Sequence, residues 1–300
     1  MPRNELTNSR PDPSGGGFKT IGIAGKPHKD DVKRTASKLT HWLRKHGIDV
    51  VLEDHLGDSA PVPLPSREEL PRHADMIIVL GGDGTLLSVA RAVGNDRVPI
   101  LGINMGGLGF LTDITLSEMF PLLKEILEGN YTVRKRMLLK TTITRKSGTQ
   151  KTFQALNDVV INKGALARII DIKAAISGEY LTTYRSDGLI VSTPVGSTGY
   201  SLSAGGPIVC PGVNGIIITP ICPHTLTNRP ILIKEDDTVT LTLLSKEDEV
   251  IVTVDGQVGH PIGYEDTVEI SKSDNSIAMI VPPGKSYYEI LRTKLKWGER

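Results

Sequence analysis

The feature that most constrains the fold of this chain is an apolar run that leads straight into a glycine-rich loop and then into a helix. Residues Met76–Leu80 are all apolar and have the length of one strand. The loop Gly81-Gly82-Asp83-Gly84-Thr85 follows directly, and the helical segment Leu86–Val93 follows the loop. A strand that turns directly into a helix is a βα unit, and βα units in series form a parallel sheet.

The same pattern recurs through the first 140 residues. Apolar residues repeat at helical spacing from Val32 to Leu43, with Asp30 as a candidate N-cap. Further strand-like runs lie at Phe18–Gly25, Asp49–Leu52 and Pro99–Ile103. Together these segments predict a parallel α/β domain over residues 18–140.

After about Lys140 the chain changes to short β-rich runs separated by glycine and polar turns, which predicts a second, mainly β domain over residues 141–275. These runs are Leu138–Thr144, Asp171–Ile176, Thr238–Leu244 and Val250–Val254. Within residues 276–300, the helix-compatible stretch Ser286–Trp297 is expected to pack back on the first domain, with Tyr288, Leu291 and Leu295 on one face. Residues 1–17 are rich in Pro, Gly and Ser and are predicted to be a flexible tail.

Charge and composition narrow the classes of partner. The 35 basic and 34 acidic side chains nearly cancel, so no general basic field for nucleic acid is expected. No apolar run approaches the roughly 20 residues of a membrane helix, and no signal-like segment is present. Cys210 and Cys222 form no C-x-x-C pair, which favours a reducing compartment, and no cluster has the spacing of zinc ligands. We expect a cytoplasmic protein with neither a nucleic-acid nor a membrane partner.

Asp83 is the candidate catalytic residue of the first glycine-rich loop. Open α/β sheets bind ligands at the carboxyl ends of their strands, and the free N–H groups at a helix N-terminus attract phosphate. The loop is neither G-x-G-x-x-G nor a Walker A loop, since Asp83 holds its middle and no Lys follows its last glycine. A carboxylate would repel phosphate, so Asp83 is better explained as the acceptor of a hydroxyl proton. The alternative is a tight turn in which Asp83 caps the helix.

Two further segments are candidates for the walls of a ligand site. Asn104–Thr112 is a second glycine-dense loop, for which close packing of loop on loop is the alternative. Asn157 and Asp158 lie at the start of an apolar strand, facing the expected cleft between the domains. An amide can pair with an adenine edge, and a carboxylate can accept from ribose hydroxyls. An ordinary Asn-Asp turn is the alternative for this pair.

The most informative segment covers residues 184–207. A strand, Leu189–Ser192, is followed by about 15 residues dominated by Gly, Ser and Thr, a composition too polar for a core. Hydroxyls and bare amides suit sugar and phosphate recognition, and Tyr200 offers a flat face for a base. A flexible linker is the alternative, but linkers seldom follow a buried strand directly.

In their order and spacing, Gly81–Thr85, Asn157-Asp158 and the Gly-Ser-Thr-Gly-Tyr-Ser of residues 196–201 resemble the bacterial NAD kinase (ATP-NAD kinase) family over about residues 18 to 297. The first motif is shared with lipid kinases and phosphofructokinases, whereas segment 184–207 is far more specific. The resemblance implies a Rossmann-like N-terminal domain that binds ATP, a β-rich C-terminal domain, and NAD bound between them. It also implies transfer of the γ-phosphoryl group of ATP to the 2′-hydroxyl of the adenosine ribose of NAD, which produces NADP and ADP.

The resemblance further implies roles for single residues. Asp83 becomes the proton acceptor, and a divalent metal ion, usually Mg²⁺, accompanies ATP. Relatives form dimers or tetramers in which the position of Asp187 reaches a neighbouring subunit's site. Many relatives have Glu at position 158 and Ala at 199, so Asp158 has a shorter reach here and Gly199 leaves a slightly looser pocket. The dinucleotide-contacting positions carried over are Asp83, Gly84, Asn157, Asp158, Arg168, Arg185, Asp187, Thr198, Gly199, Tyr200, Ser201, Leu202, Ser203 and Gln257.

Two other functions fit parts of the pattern. Another kinase of the same superfamily would act on a lipid or a sugar, but segment 184–207 and the lack of a membrane-binding patch argue against it. The other is a non-catalytic dinucleotide sensor or an oxidoreductase that uses NAD as a hydride carrier. Asp83 between glycines is the discriminating feature, because a hydride-transfer enzyme would have no use for a carboxylate beside the phosphates.

Overall fold

The computed structural model describes residues 17–57, 63–94, 98–164, 169–225, 227–246 and 249–298. The chain divides into two compact units, Met1–Lys135 with Ile277–Arg300 and Arg136–Ser276. The predicted flexible tail, residues 1–17, lies outside the described residues except for Gly17.

The helices and strands are numbered in chain order. The strands are β1 (Thr20–Gly25), β2 (Asp49–Leu52), β3 (Met76–Leu80), β4 (Ile100–Ile103), β5 (Thr132–Thr144), β6 (Gln150–Ala155), β7 (Asp158–Lys163), β8 (Ile170–Ile176), β9 (Glu179–Ser186), β10 (Gly188–Ser192), β11 (Gly215–Ile221), β12 (Ile231–Lys234), β13 (Val239–Leu243), β14 (Val250–Val254), β15 (Val258–Ile262) and β16 (Thr267–Val281). The α-helices are α1 (Asp30–Lys45), α2 (Asp83–Val93), α3 (Met119–Leu127), α4 (Tyr200–Ser203) and α5 (Tyr287–Leu295). Short 3-10 helices span Asp54–Leu56, Leu70–His73 and Gly196–Thr198.

The first unit is built on a parallel sheet in the order β2-β1-β3-β4. The last residues of β16 extend it, since Met279 pairs in parallel with Ile100 of β4. Aliphatic residues of β1 and β3 form one core with Leu39 of α1 and Leu123 of α3. The predicted α/β fold with a parallel sheet is confirmed, and the sheet brings the carboxyl ends of β3 and β4 side by side.

Two helix starts differ from the predicted ones. Helix α1 begins at Asp30 itself and its N-cap is Lys29, so the predicted N-cap was wrong by one residue. Asp30 lies instead in the first turn, where a carboxylate interacts favourably with the helix dipole. Helix α2 begins at Asp83 rather than at Leu86, so the last three of the five residues of the glycine-rich loop are already helical.

The second unit is a β structure with two sheets. One is antiparallel with the order β12-β11-β10-β7-β14-β15. In the other, the antiparallel order β16-β13-β8-β9 holds, and β5 pairs with β6. Side chains of both sheets, including Ile172, Leu241, Val191 and Val252, form one hydrophobic core. The predicted, mainly β second part of the fold is confirmed.

Helix α5 buries only part of the face predicted for it. Leu291 is buried as predicted, together with Ile290, whereas Leu295 is half-buried and Tyr288 is 62% exposed. None of the helices in the described ranges is both long and apolar enough to cross a membrane.

Candidate active site

The first cluster of functional side chains lies at the carboxyl ends of β3 and β4, in the first unit. Asp83 opens helix α2, and Gly82 is the N-cap of that helix. Phe110 donates its backbone N–H to Oδ2 of Asp83 at 2.9 Å. Leu111 and Thr112 donate theirs to Oδ1, each at 3.0 Å, and the Thr112 hydroxyl donates to the same oxygen at 3.0 Å. The structure therefore brings together the two glycine-rich loops that the sequence singled out.

A buried amide holds the second loop in place. Asn104 is 4% exposed and its Nδ2 donates to Oγ1 of Thr112 at 2.9 Å. Its Oδ1 accepts from the backbone N–H of Gly106 at 2.7 Å. At Gly109 a Cβ atom would overlap the Asp83 carboxylate, so only glycine lets the loop approach this closely. Close packing of loop on loop, the alternative considered for this segment, does occur here around the Asp83 carboxylate.

The hydrogen bonds of Asp83 exclude the helix-cap alternative. Among the residues that the structure describes, its donors all come from residues 110–112 and none comes from its own helix. A carboxylate offers about two acceptor positions on each oxygen. Three donors meet Oδ1 and one meets Oδ2, so Oδ2 keeps the capacity to accept one more hydrogen bond. The carboxylate can accordingly anchor the loop and still accept from a hydroxyl.

The second cluster, in the second unit, surrounds Asn157 and Asp158. Asp158 is the first residue of β7 and pairs with Ser192 of β10, and Asn157 precedes it. Asp255, in the turn between β14 and β15, accepts the backbone N–H groups of both residues, at 2.7 and 3.2 Å. The Oδ1 atom of Asn157 is buried and has no hydrogen-bond partner among the described residues. A buried acceptor of this kind favours a ligand that donates a hydrogen bond to it.

Asp158 lies in a strongly perturbed electrostatic environment. Asp158 is 5% exposed and lies beside Asp255, which is 6% exposed. Burial, with a smaller contribution from the charge of Asp255, raises the pKa of Asp158 to about 7. Perturbed carboxyl groups of this kind concentrate at functional sites.

The hydroxyl-rich segment after β10 is more buried than its composition suggested. Ser197 and Ser201 are fully buried. Ser197 Oγ donates to the carbonyl of Pro194 at 2.6 Å, and Ser201 Oγ lies 2.9 Å from Oγ1 of Thr219. The inference that this segment is too polar for a core was wrong for these residues, because their hydroxyls find partners inside the protein. The side chain of Ser201 is thus engaged, and its predicted ligand contact remains a prediction.

Other residues of this segment have surfaces that a ligand can reach. Tyr200 on α4 is 43% exposed, Ser203 is exposed, and Thr198 and Leu202 are half-buried. A Cβ built at Gly199 would lie 3.5 Å from Nδ2 of Asn157 and 3.7 Å from Oδ2 of Asp158. The fold therefore places Gly199 directly against the Asn157-Asp158 pair.

Four further predicted residues lie in the described ranges, and one does not. Asp187 forms an ion pair with Lys163, with 2.9 Å between Nζ and Oδ1, and keeps about a third of its side chain exposed. Arg185 on β9, Gln257 in the turn after β14 and Gly84 on α2 are exposed. Arg168 lies outside the described residues.

Three residues of these clusters were missed by the sequence analysis as functional candidates: Asn104, Thr112 and Asp255. The first two lie within a loop that had been singled out, without a role of their own. Asp255 precedes Gly256, and Asp-Gly between two strands is a strong hairpin signal. The hairpin signal already explains why Asp occupies this position. Nothing in the sequence therefore identified its carboxylate as a hydrogen-bond acceptor.

Within the described ranges, Glu53, Asp54 and His55 are the group of three side chains whose ligand atoms lie close enough to share a metal ion. Glu53, however, accepts from Arg67 Nε at 2.8 Å and from the Gly25 backbone N–H at 3.0 Å. A carboxylate engaged in this way, next to a histidine nitrogen, does not suit Mg²⁺, which prefers oxygen ligands.

Comparison with known proteins identifies the family. Residues 21–131 match the model of the ATP-NAD kinase N-terminal domain, and residues 156–281 match that of the ATP-NAD kinase C-terminal domain. The NAD kinase of Geotalea daltonii is 50% identical over 284 residues, which cover 94% of this chain and all of the relative. The NAD kinase of Solibacter usitatus is 45% identical, with coverage of 94% of this chain and 99% of the relative.

Solved structures of related enzymes share the fold. Yeast NADH kinase complexed with NADH superposes with a TM-score of 0.86 at 22% identity, over 95% of this chain and 89% of that chain. The NAD kinase from Archaeoglobus fulgidus in complex with ATP gives a TM-score of 0.72 at 26% identity, over 92% and 98%. With both domain models matched and relatives about half identical along nearly the whole length, this chain belongs to the ATP-NAD kinase family.

Proposed function

We propose that Asp83 accepts the proton of the substrate hydroxyl in the reaction of this chain. The reaction is that of an NAD kinase: the γ-phosphoryl group of ATP is transferred to the 2′-hydroxyl of the adenosine ribose of NAD, and NADP and ADP are formed. The observation that supports the role of Asp83 is its position on the first turn of α2, with one acceptor position still available on Oδ2.

Phosphoryl transfer requires in-line positioning and neutralisation of charge more than covalent chemistry. In our proposal ATP binds to the first domain, residues 18–140, with its phosphates near the start of α2. The backbone N–H groups of Gly82–Gly84 suit this, because helix N-termini attract anions and glycine lets a phosphate approach closely. Asp83 orients the ribose hydroxyl, and the proton transfers as the bond to phosphorus forms.

The NAD-binding part of the proposal rests on the second unit. The buried Oδ1 of Asn157 would accept from the amino group of adenine, and Asp158 would accept from ribose hydroxyls. Tyr200 has the exposure to lie against a base. The other proposed contacts of the dinucleotide are Gly84, Arg168, Arg185, Asp187, Thr198, Gly199, Ser201, Leu202, Ser203 and Gln257.

The described protein groups do not by themselves form a magnesium site. We propose that Mg²⁺ enters with the triphosphate of ATP, because this ion keeps several waters and is commonly bound through phosphates and few protein ligands. When bound, it neutralises charge on the transferred phosphoryl group.

The further proposals concern the state of the protein in the cell. A cytoplasmic location is supported by the two cysteines, Cys210 and Cys222, both of which are free thiols. A homo-oligomeric assembly, either dimer or tetramer, is proposed from the position of Asp187 and is tested in the Discussion.

The decisive experiment is an assay of purified protein with ATP, magnesium and NAD, in which the product is identified by the position of its new phosphate. We expect NADP with a 2′-phosphate and one ADP for each NADP. Reactions without ATP, and with polyphosphate in place of ATP, define the donor. Binding of NAD without any phosphorylation, while a control kinase is active, would instead support the sensor interpretation.

A further inference from the structure

The predicted NAD-contacting pair, Asn157 and Asp158, belongs to a three-residue peptide whose backbone N–H groups all meet one carboxylate. Leu156 donates to Oδ2 of Asp255 at 3.1 Å. Asn157 and Asp158 donate to Oδ1 at 2.7 and 3.2 Å. These bonds join segments about 100 residues apart in the sequence, since the separations are 99, 98 and 97.

The carbonyl groups of the same peptide are held from the other side. Thr193 Oγ1 donates to the carbonyl of Leu156 at 2.6 Å, and the Thr193 N–H donates to that of Asn157 at 2.9 Å. The N–H of Asp255 donates to the carbonyl of Asp158 at 2.9 Å. All six backbone polar groups of the peptide therefore have partners, and its conformation is fixed on both sides.

We propose that Asp255 and Thr193 are positioning residues of the NAD site, which fix the backbone of residues 156–158 so that the Asn157 and Asp158 side chains face the ligand. This inference rests on the proposed roles of Asn157 and Asp158. Neither positioning residue acts on the substrate; each acts through the peptide that it holds.

The turn that contains Asp255 does not by itself require a carboxylate. Asp255 and Gly256 have φ values of 50° and 62°, and the N–H of Gln257 donates to the carbonyl of Val254 at 3.0 Å. Such a turn accepts Asn-Gly as readily as Asp-Gly. A carboxylate, however, accepts with both oxygens, whereas an asparagine would turn an NH₂ group toward one of the three N–H donors. The three donors therefore account for Asp at this position, and the turn does not.

The chain offers a matched control in Asp266. Its carboxylate is 5% exposed and accepts the backbone N–H groups of Gly263 and Lys146, at 2.8 Å each. It also forms an ion pair with Arg145 at 2.7 Å. Asp266 thus holds backbone in the same unit by the same chemistry, but none of the residues it holds is a proposed contact of NAD.

The test compares Asp255→Asn with Asp266→Asn, using steady-state kinetics in both substrates and thermal unfolding. For Asp255→Asn we expect the KM for NAD to rise by about ten-fold or more, kcat to fall by less than KM rises, and the KM for ATP to stay within about two-fold. For Asp266→Asn we expect a lower melting temperature and an unchanged KM for NAD. Equal effects of the two variants on the KM for NAD would overturn the inference.

A second pair of variants covers the case in which Asp255→Asn does not fold. Thr193→Val removes the hydroxyl that donates to the Leu156 carbonyl and accepts from the Gly196 N–H, and is expected to raise the KM for NAD several-fold. Thr193→Ser keeps that hydroxyl and is expected to restore the wild-type value. A valine variant with wild-type KM would contradict the inference. If wild-type protein does not phosphorylate NAD at all, the proposed function fails instead, and that outcome is read from the wild-type assay alone.

Discussion

The carboxylate of Asp83 anchors residues 110–112 in the structure, and its second, proposed purpose is to accept the proton of the substrate hydroxyl. Asp83→Asn therefore removes the base and also turns an NH₂ group toward a backbone donor. We expect turnover to fall by about 10²- to 10⁴-fold, the usual effect of removing a general base. Affinity for NAD, measured by calorimetry on folded variant, should change much less, because a negative charge near an anionic ligand is also removed.

Thr112→Val separates the two purposes. It removes one donor to the Asp83 carboxylate but leaves the carboxylate itself and the three backbone donors. The hydroxyl also accepts from Asn104 Nδ2, but that donor keeps the Thr112 carbonyl as a second acceptor at 3.2 Å. We therefore expect a decrease in turnover of less than about ten-fold, the size expected when one hydrogen bond is lost outright. If Thr112→Val is as inactive as Asp83→Asn, the anchor role explains the loss. If Asp83→Asn keeps turnover within a few-fold of wild type, the catalytic base is another residue.

The raised pKa of Asp158 predicts that NAD binding depends on pH. Because burial raises this pKa from 3.8 to about 7, Asp158 gains a proton as the pH falls through 7 and loses acceptor capacity toward the ribose hydroxyls. We expect the Kd for NAD, measured by calorimetry between about pH 5.5 and 8.5, to rise by up to about ten-fold per pH unit below 7. In Asp158→Asn this dependence should disappear. A wild-type Kd that is flat across this range would show that Asp158 does not bind the ribose in its ionised form.

The same pKa has a consequence for stability. Between pH 3.8 and about 7 the folded protein keeps a proton that the unfolded chain has released, so the contribution of Asp158 to stability falls as the pH rises through this window. Wild-type protein should therefore lose stability relative to Asp158→Asn from about pH 5 to pH 8. Melting temperatures of both proteins at the two pH values measure this difference, and a difference of opposite sign would contradict the raised pKa.

The sequence singled out Asp83 because its glycine neighbours offered no obvious structural role and a carboxylate makes a poor phosphate ligand. Its catalytic role stays a prediction, and its hydrogen bonds to residues 110–112 were not foreseen. Asp255 had a complete explanation as a turn residue, and its partners lie about 100 residues away. Composition likewise could not distinguish exposed hydroxyls from that of Ser197, whose partners are in Pro194 and Val209, and that of Ser201, whose partner is Thr219.

At the level of elements, a buried ion pair ties together the carboxyl ends of β1 and β2 and helix α2. Arg67 donates to Glu53 Oε1 at 2.8 Å, to the Gly25 carbonyl at 2.7 Å and to Ser88 Oγ at 2.7 Å. Arg67→Met leaves Glu53, which is 4% exposed, as a buried charge without its cation. We expect the first unit to lose about 3–5 kcal/mol of stability, the usual cost of breaking a buried pair.

The loss of stability in the first unit can be followed by fluorescence within the intact protein. Both tryptophans of the chain, Trp42 and Trp297, belong to that unit, so their fluorescence during urea unfolding reports on it. The control is Lys124→Ala, which removes an exposed ion pair to Glu128 and should change stability by less than about 1 kcal/mol. The double variant Glu53→Gln/Arg67→Met should recover part of the loss. A cost for Arg67→Met no larger than that of the control would show that the pair contributes little.

Elements were predictable to within a few residues where the apolar pattern alone decides them. The bounds predicted for β2, β3 and β14 are those observed. Asp83 and Gly84 are poor helix formers, so the sequence predicted a later start for helix α2. The tertiary hydrogen bonds of Asp83 outweigh that propensity, and the helix begins at Asp83. In α5 the buried face is set by its neighbours, which a short amphipathic pattern does not specify.

For the whole molecule, the resemblance predicts an oligomer in which Asp187 contributes to a neighbouring subunit's site. Asp187 keeps part of its side chain exposed beside Lys163, so it is accessible to a second copy.

If Asp187 acts across subunits, Asp187→Ala and Asp83→Asn should each be inactive alone but complement each other when mixed, because a mixed dimer contains one site with both carboxylates. Random exchange between dimers would restore about one quarter of wild-type activity, since half of the dimers are mixed and each has one intact site of two. Light scattering before and after mixing establishes that exchange occurs. Mixed oligomers without any recovery would show that Asp187 acts in its own subunit or not at all, and a monomer with full specific activity on dilution would exclude the shared site.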